Sequence, residues 1–421
     1  MFALVDCNNF YASCERVFKP NLQRQPICIL SNNDGCVIAR SNEAKALGIP
    51  MGAPAFKFEK FFKANNVRIF SSNYALYGDM SARVMNLLAE FTPEIEVYSI
   101  DESFLKFTGF EQFFDLHLHA QKMKKRVEQG TGIPISIGIA PTKALAKVAN
   151  RVVKKFPERT QGSYIIYTEE QRIKALKWLK IEDVWGIGRQ HSIRLQKQQV
   201  FTAYDFTKLN DHWVKKQMSV VGLRLKKELE GKPTLDLEDV ANKKAIATTR
   251  SFDRQYEDFS YIKERVSSFA VSCGEKMRKQ KSCCNLIYVF IKTNQFQQNK
   301  PQYGRGISIQ LPYPTNSSID LMKHAIDGLK KIYKKGYAYK KAGVIVMGLV
   351  PEGRRQLALF TEENPKHNQL MKKIDELNRK VGRYKIKFGA QDLSKTWKMK
   401  QEHLSQAYTT SLQQIIEVKS S

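Results

Sequence analysis

Short apolar runs closed by acids or turn-formers alternate, over roughly the first 166 residues, with stretches of helical spacing. Met1-Phe2-Ala3-Leu4-Val5 is such a run, and Asp6 ends it; a buried strand delivering one acid at its C-terminal end is a common way to build a site on a sheet, and one such Asp alone is usually just a strand end. Cys7 to Glu15 reads as a sharp turn into a helix, whose first backbone N–H groups lack internal partners and favour anions. Pro26-Ile27-Cys28-Ile29-Leu30 is a second strand, and Ser31-Asn32-Asn33-Asp34-Gly35 turns the chain. Gly35 to Asn73 is short, polar and rich in small residues, a small subdomain inserted into the first domain. Met80, Val84, Leu87 and Leu88 predict a helix over residues 77–91, and 114–129 again reads helical. Residues 133–139 alternate as a strand, a helix opens at Pro141-Thr142-Lys143, and 163–167 closes with a strand. Strands mixed with crossing helices indicate an α/β or α+β domain.

Inside this pattern lies Val97-Tyr98-Ser99-Ile100-Asp101-Glu102-Ser103-Phe104-Leu105, two apolar segments around adjacent acids. It predicts a strand, a bend or bulge at the acids, and a second strand. In a regular strand the two side chains diverge; at a bend both approach one point. Two carboxylates ~4 Å apart repel by roughly 4 kcal/mol at an effective dielectric of about 20. A divalent cation between their oxygens removes that cost, and Mg²⁺ takes carboxylates together with substrate phosphates. The plain alternative is a charged hairpin tip in water. A third acid in a matching setting favours the metal, and Asp6, beside a helix start suited to a polyphosphate, is that acid.

Residues 169–230 read helical around Ile181-Glu182-Asp183-Val184-Trp185-Gly186-Ile187-Gly188-Arg189. Glycines between two short helices with bases after them resemble a helix-hairpin-helix, whose loop amides reach a DNA phosphate; an ordinary helix turn is the other reading. Gly231-Lys232-Pro233 ends the region, and 234–242 reads as a linker. Strand, helix, strand, strand, helix, strand follow to Val350, a β-α-β-β-α-β module. Beyond Pro351 the signal fades into Gln356-Leu357-Ala358-Leu359-Phe360, a helix around 370–381, and a stretch mixing bases with aromatics. The apolar-aromatic peptide suits a docking motif or a plain buried turn.

Charge narrows the partner. The formal net charge is +28, and residues 243–350 hold 20 Lys/Arg against 7 Asp/Glu, so nearly half of the excess sits in one module. Such a surplus points to a polyanion, nucleic acid ahead of a membrane surface, with binding that weakens steeply in salt. Seven cysteines without a C-x-x-C indicate neither a disulfide framework nor a zinc site. His117 and His119 face different ways on a helix and are not read as ligands. No basic leader and no apolar run near about 18 residues marks secretion or membrane insertion, so the expected location is the cytoplasm.

Together, Val5 to Glu15, Ser31 to Arg40, Tyr98-Ser99-Ile100-Asp101-Glu102 and Asp183 to Arg189 resemble the Y-family of translesion DNA polymerases, most of all its UmuC-type subunits, from end to end. The resemblance implies an α+β multidomain right hand: palm 1–8 and 75–166, small fingers 9–74, helical thumb 167–233 with the helix-hairpin-helix, linker 234–242, βαββαβ little finger 243–350 and tail 351–421. It implies two Mg²⁺ ions between Asp6, the carbonyl of Cys7, Asp101 and Glu102. Amides at Phe10 and Tyr11 would hold the dNTP, with the Tyr11 ring as a steric gate against a 2′-OH. Where many members carry Tyr and, three residues on, Arg against the triphosphate, this chain has Asn42 and Lys45. Lysine is a point charge and not a planar fork, so the grip loosens and Arg40 is a candidate to share it. Lys154 matches the palm lysine near the β- and γ-phosphates, and Lys155 beside it leaves the register open by one. Gly186, Gly188 and Arg189 would grip primer-template DNA, and Gln356, Leu357, Leu359 and Phe360 a sliding clamp. A UmuD′-like dimer and a RecA filament follow as partners by resemblance alone.

The activity so implied is error-prone, template-directed synthesis past damaged bases in the SOS response. Its rivals are a catalytically silent DNA-binding scaffold and a palm-fold nucleotidyl cyclase that needs no primer-template.

Overall fold

A computed structural model describes residues 1–421 apart from 240, 298, 355–363, 383, 394–398 and 417–421. The chain forms two units, residues 1–239 with 401–421, and residues 240–400. The stretch read as one tail, 351–421, thus falls into both.

The first unit is built on a five-stranded sheet in the order Ile95–Val97, Glu102–Lys106, Phe2–Cys7, Ile135–Ala140, Ser163–Ile165. Phe2–Cys7 is central, antiparallel to both neighbours and buried along its length. Strand alternation divides its side chains. Ala3, Val5 and Cys7 enter a core with Leu76, Met80 and Met123 from the helices Tyr74–Leu88 and Leu116–Thr131. Phe2 and Leu4 turn to the other face, where Phe104 packs with Ala144, Leu145 and Val148 of the helix Lys143–Lys155. Asp6 and Glu102 have the parity of this second face. Gly138 lets that helix lie directly on the sheet: a Cβ there would come within 2.2 Å of the Asn150 backbone nitrogen and 2.4 Å of the Ala146 carbonyl.

The helix expected over 77–91 begins instead at Tyr74, because the Asn73 side chain caps it by accepting from Leu76 N at 3.2 Å. The subdomain expected over 35–73 begins earlier, because Ile27–Leu30 is the central strand of its three-stranded sheet, between Val37–Arg40 and Arg68–Ser71, with a core around Leu30, Ile49 and Phe62. The helical region from Glu169–Trp178 to Asp211–Leu229 shares the core on the second face of this sheet through Leu176, Ile181, Val184 and Leu225.

In the second unit a four-stranded antiparallel sheet runs Gly304–Thr315, Ser282–Thr293, Tyr339–Pro351, Ala245–Tyr256. The helices Phe259–Lys279 and Ser318–Ile332 cover one face through Val266, Ala270, Leu321 and Ala325. The strands' opposite parity carries Tyr288, Lys292 and Lys341. The helix Pro365–Val381 joins this unit where Arg278 grips Asp375 with two nitrogens, at 2.6 and 2.8 Å. Among the described residues no helix is long and apolar enough to cross a membrane.

Candidate active site

Asp6 is the fifth residue of the strand Phe2–Cys7, whose register puts it directly opposite Glu102. Shared parity, not sequence proximity, brings these acids together. Asp101 lies in the bend one residue earlier. Its carbonyl accepts from Cys7 N at 2.8 Å, which ties the bend to the end of the central strand. Its carboxylate accepts from Ser99 Oγ at 2.7 Å, and Ser99 Oγ in turn accepts from the backbone N–H of Asp101 and Glu102. The three acids therefore converge on one end of the sheet, although among the described residues no closed group of three His, Cys, Asp or Glu forms a ready metal cage.

In place of such a cage, two lysines meet the carboxylates. Lys154 donates to Asp6, and Lys147 donates to Glu102 Oε2 at 2.8 Å. Burial pushes Asp6 up to about 7 against the pull of Lys154, and neighbouring Glu102 adds to the rise. Burial also acts on Glu102, but hydrogen bonds from Lys147 and Asp6 win and hold it below the usual carboxylate range. One proton shared toward Asp6 is the expected state of such a crowded pair. The Cys7 thiol is pushed well up by burial and by the carboxylates of Asp6 and Asp101, so Cys7 can offer its carbonyl but not a thiolate. The donor set is hard oxygen throughout, which fits Mg²⁺ and not a soft metal.

The helix Phe10–Phe18 starts at this sheet end. Asn9 precedes it in the left-handed region, φ 49°, and its side chain does not cap the helix. Asn9 instead donates to Asn42 Oδ1 at 3.0 Å and accepts from Lys45 Nζ at 2.5 Å. A cavity of about 590 Å³ opens here, lined by Asn8, Asn9, Asn42, Lys45, Ser136 and Lys154. Lys45 is lowered by burial and then by repulsion from Arg40 and Lys154, which marks this pocket as electropositive. Arg40 is half-buried with its guanidinium on the Ile49 carbonyl, so its present reach is spent inside its own subdomain. Phe10 is buried in the core. Tyr11 is half-buried and stacks on Tyr77, 4.3 Å between centroids and 17° between planes. Of the two neighbouring lysines, it is Lys154 that reaches the acids.

Gly186 has φ +82°, and Gly188 precedes the helix Arg189–Gln196 without a side-chain cap. A Cβ at Gly188 would meet nothing within 4 Å and Arg189 is exposed, so there is room for a phosphate at Gly188, while the Ile187 amide donates to the Val184 carbonyl at 3.0 Å. The peptide Gln356 to Phe360 lies outside the described residues.

Sequence reasoning missed Lys147. Its ammonium lies 4.5 Å from the Tyr98 ring centroid, 5.6 Å from Phe104 and 5.8 Å from Trp185, while Trp185 Nε1 donates to Tyr98 OH at 3.1 Å. The signal was present in the spacing. Lys143, Lys147, Arg151 and Lys154 form one stripe of a helix, and they meet Glu96, Glu102, Asp183 and Asp6 in that order.

Set against known proteins, the sequence matches the impB/mucB/samB family over residues 5–151, the C-terminal domain of that family over residues 243–359, and a domain of unknown function (DUF4113) over residues 368–418. It is 41% identical over 422 residues to Protein UmuC of Salmonella typhimurium (strain LT2), covering 100% of each chain. It is 38% identical over 421 residues to Protein ImpB of Salmonella typhimurium, covering 99% of each. Among solved structures it resembles the Y-family DNA polymerase chimera Dbh-Dpo4(243-245)-Dbh with a TM-score of 0.69, 21% identity, and coverage of 83% of this chain and 100% of that one. At that identity the likeness speaks for the fold.

Proposed function

The chain belongs to the impB/mucB/samB family, the UmuC-type branch of the Y-family DNA polymerases, and from that membership we propose how its site works. The protein is an error-prone, DNA-directed DNA polymerase of translesion synthesis, acting in the SOS response to DNA damage. It binds primer-template DNA and dNTPs. What supports the assignment of the active site is one relationship: Asp6 faces Glu102 in register, with Asp101 beside it and the start of a helix adjoining.

In this reading Asp6, Asp101 and Glu102, with the carbonyl of Cys7, hold two Mg²⁺ ions. Bound there, the ions supply charge neutralisation at the α-phosphate and at the leaving pyrophosphate, and ease deprotonation of the primer 3′-OH. The chain's own residues do the rest. Lys45 and Lys154 bring positive charge to the triphosphate, with Arg40 able to join if it leaves Ile49, and the amides of Phe10 and Tyr11 take phosphate oxygens at the helix start. The Tyr11 ring serves in this reading as the steric gate against a 2′-OH, and its stacking on Tyr77 supports a fixed ring there. Residues 1–8 and 75–166 act as palm, 9–74 as fingers, 167–233 as thumb, and 243–350 as little finger behind the linker 234–242. Gly186, Gly188 and Arg189 hold the duplex by its backbone, and Lys292 and Lys341, paired across the two central strands, give the little finger a charged sheet face.

The tail, 351–421, carries the clamp peptide Gln356, Leu357, Leu359, Phe360, an apolar anchor for a pocket on a sliding clamp. A UmuD′-like dimer and a RecA filament complete the proposed assembly, which works on DNA in the cytoplasm. The test is primer extension with and without Mg²⁺ on undamaged and abasic templates. Extension that needs the metal and passes the abasic site is expected; extension indifferent to Mg²⁺ overturns the metal assignment.

A further inference from the structure

Residues 401–408 are built into the first unit. From Gln401 the segment runs along residues 71–73, the joint between the strand Arg68–Ser71 and the helix Tyr74–Leu88. Ser71 N donates to the His403 carbonyl at 3.0 Å, and His403 N donates back to Ser71 Oγ at 3.1 Å. Gln401 Nε2 donates to the Ser72 carbonyl at 3.1 Å, and Glu402 N to Asp34 Oδ2 at 2.8 Å. Asn73, whose side-chain oxygen caps the helix, uses its amide nitrogen to reach Ser405 Oγ at 3.0 Å and the Gln406 carbonyl at 3.2 Å. Tyr408 lies flat on Phe18, 4.6 Å between centroids and 8° between planes. This is a seated segment with sequence-specific partners.

What it seats against is the support of Tyr11. Ser405 Oγ donates to Glu15 Oε1 at 2.9 Å, and Tyr77 OH donates to the same oxygen at 2.7 Å. Tyr77 is the ring on which Tyr11 stacks. Glu15 is fully buried, and its second carboxylate oxygen has no hydrogen-bond partner among the described residues. A carboxylate in an apolar core is costly unless it is hydrogen-bonded, so an acid here is out of place as packing alone. It makes sense as a shared acceptor that fixes two hydroxyls. Tyr11 and Glu15 are one turn apart on the helix Phe10–Phe18, and Tyr408 clamps the end of that same helix at Phe18. Ring, support and tail are therefore consecutive contacts: Tyr11 on Tyr77, Tyr77 on Glu15, Glu15 on Ser405.

We infer that residues 401–408 are a positioning element for sugar selection, in which Ser405 acts through Glu15 and Tyr77 to fix the Tyr11 ring against a 2′-OH. The inference rests on the reading of Tyr11 as the sugar gate. Ser405 touches no substrate; it sets how firmly Tyr77 is held and so how far Tyr11 yields. A hydroxyl deleted from a buried hydrogen bond costs about as much as a five- to tenfold change in an equilibrium. That is the scale expected for the preference between deoxyribo- and ribonucleotides.

The experiment compares single-nucleotide insertion of a dNTP and the matching rNTP by the full-length chain, in the assembly in which it extends a primer. The variants are Ser405→Ala, Ser405→Thr, Tyr11→Ala and the Ser405→Ala/Tyr11→Ala double. The ratio of kcat/KM for dNTP over rNTP is expected to fall about five- to tenfold in Ser405→Ala. It should return with the hydroxyl of Ser405→Thr, and collapse in Tyr11→Ala with no further drop in the double. If Ser405→Ala slows both nucleotides alike and leaves the ratio intact, the tail is merely structural and the inference fails. If Tyr11→Ala keeps full sugar selection, the gate reading itself is lost. Loss of selection in Tyr11→Ala alone removes only the role of the tail.

Discussion

Asp6 stands directly opposite Glu102 across an antiparallel strand pair, and each of the two acids holds its own lysine from the helix Lys143–Lys155. A pair so crowded serves a cation better than it serves the fold. Replacing Asp6 or Asp101 with Asn keeps the shape and removes the charge, so primer extension should fall by about 10³-fold or more, several kcal/mol of lost charge stabilisation. Affinity for primer-template should stay within about threefold, because phosphate contacts elsewhere supply it. Single-turnover extension beside fluorescence anisotropy separates the two; retained extension in Asp101→Asn removes it from the metal set.

The pH dependence of metal binding follows from Asp6. A ligand must be deprotonated to bind, and burial pushes Asp6 up to about 7, so below that pH the metal has to displace a proton. Apparent Mg²⁺ affinity should therefore weaken as pH falls from 8 to 6, approaching about tenfold per unit on the acid side. Above the Asp6 value the curve should flatten. Calorimetric titrations in buffers of different ionisation enthalpy report the released proton directly, and Asp6→Asn should abolish the release.

The strand that carries Asp6 was legible from its short apolar run, although an acid at such a place is by itself usually just a strand end, and the bend at Asp101 was legible from the two apolar segments flanking it. The sheet register that joins them was not, since pairing partners lie about a hundred residues apart and alternation alone does not choose a partner strand. Lys147 was legible only in part: the spacing of Lys143, Lys147, Arg151 and Lys154 marks one stripe of a helix, and only the placement of four acids around it turns the stripe into pairs. Arg40 entered only as a candidate to share the triphosphate with Lys45, and its guanidinium is engaged by the Ile49 carbonyl, a backbone contact that composition does not reveal. Residues 401–408 left the least trace. They dock through main-chain bonds and a few short polar side chains, which produce neither a helical nor a strand period.

Lys143 and Glu96 make a buried ion pair at 2.7 Å, with side-chain exposures of 4% and 8%. Glu96 also accepts from Glu238 N at 2.8 Å, and Lys143 donates to the Asp236 carbonyl at 3.2 Å, so the pair fastens the segment after the helical region to the sheet. Lys143→Met strands a buried carboxylate and should cost about 3–5 kcal/mol in urea denaturation. The double change with Glu96→Gln should recover part of that loss, since it removes the uncompensated charge. A single variant as stable as the parent would mean that water reaches Glu96.

Lys147 tests whether a residue outside the acidic set governs the metal site through Glu102. Its ammonium is enclosed by Tyr98, Phe104 and Trp185 and bonded to Glu102 Oε2 at 2.8 Å, so the aromatic cage fixes the lysine and the lysine fixes the carboxylate. Lys147→Met retains the packing of the stem but leaves Glu102 free to turn and easier to protonate, because the bond that opposes its burial is gone. Metal affinity should drop about 10–100-fold, the usual effect of removing a group that orients a ligand. Raising Mg²⁺ should restore much of the extension rate, which it cannot do for Asp101→Asn. Lys147→Arg keeps the charge but not the compact fit inside three rings, and should fall between the two. An Mg²⁺ titration of extension rate for the three variants decides the matter: a lowered maximum with an unchanged half-saturating metal concentration would place Lys147 in the chemistry itself and not in holding Glu102.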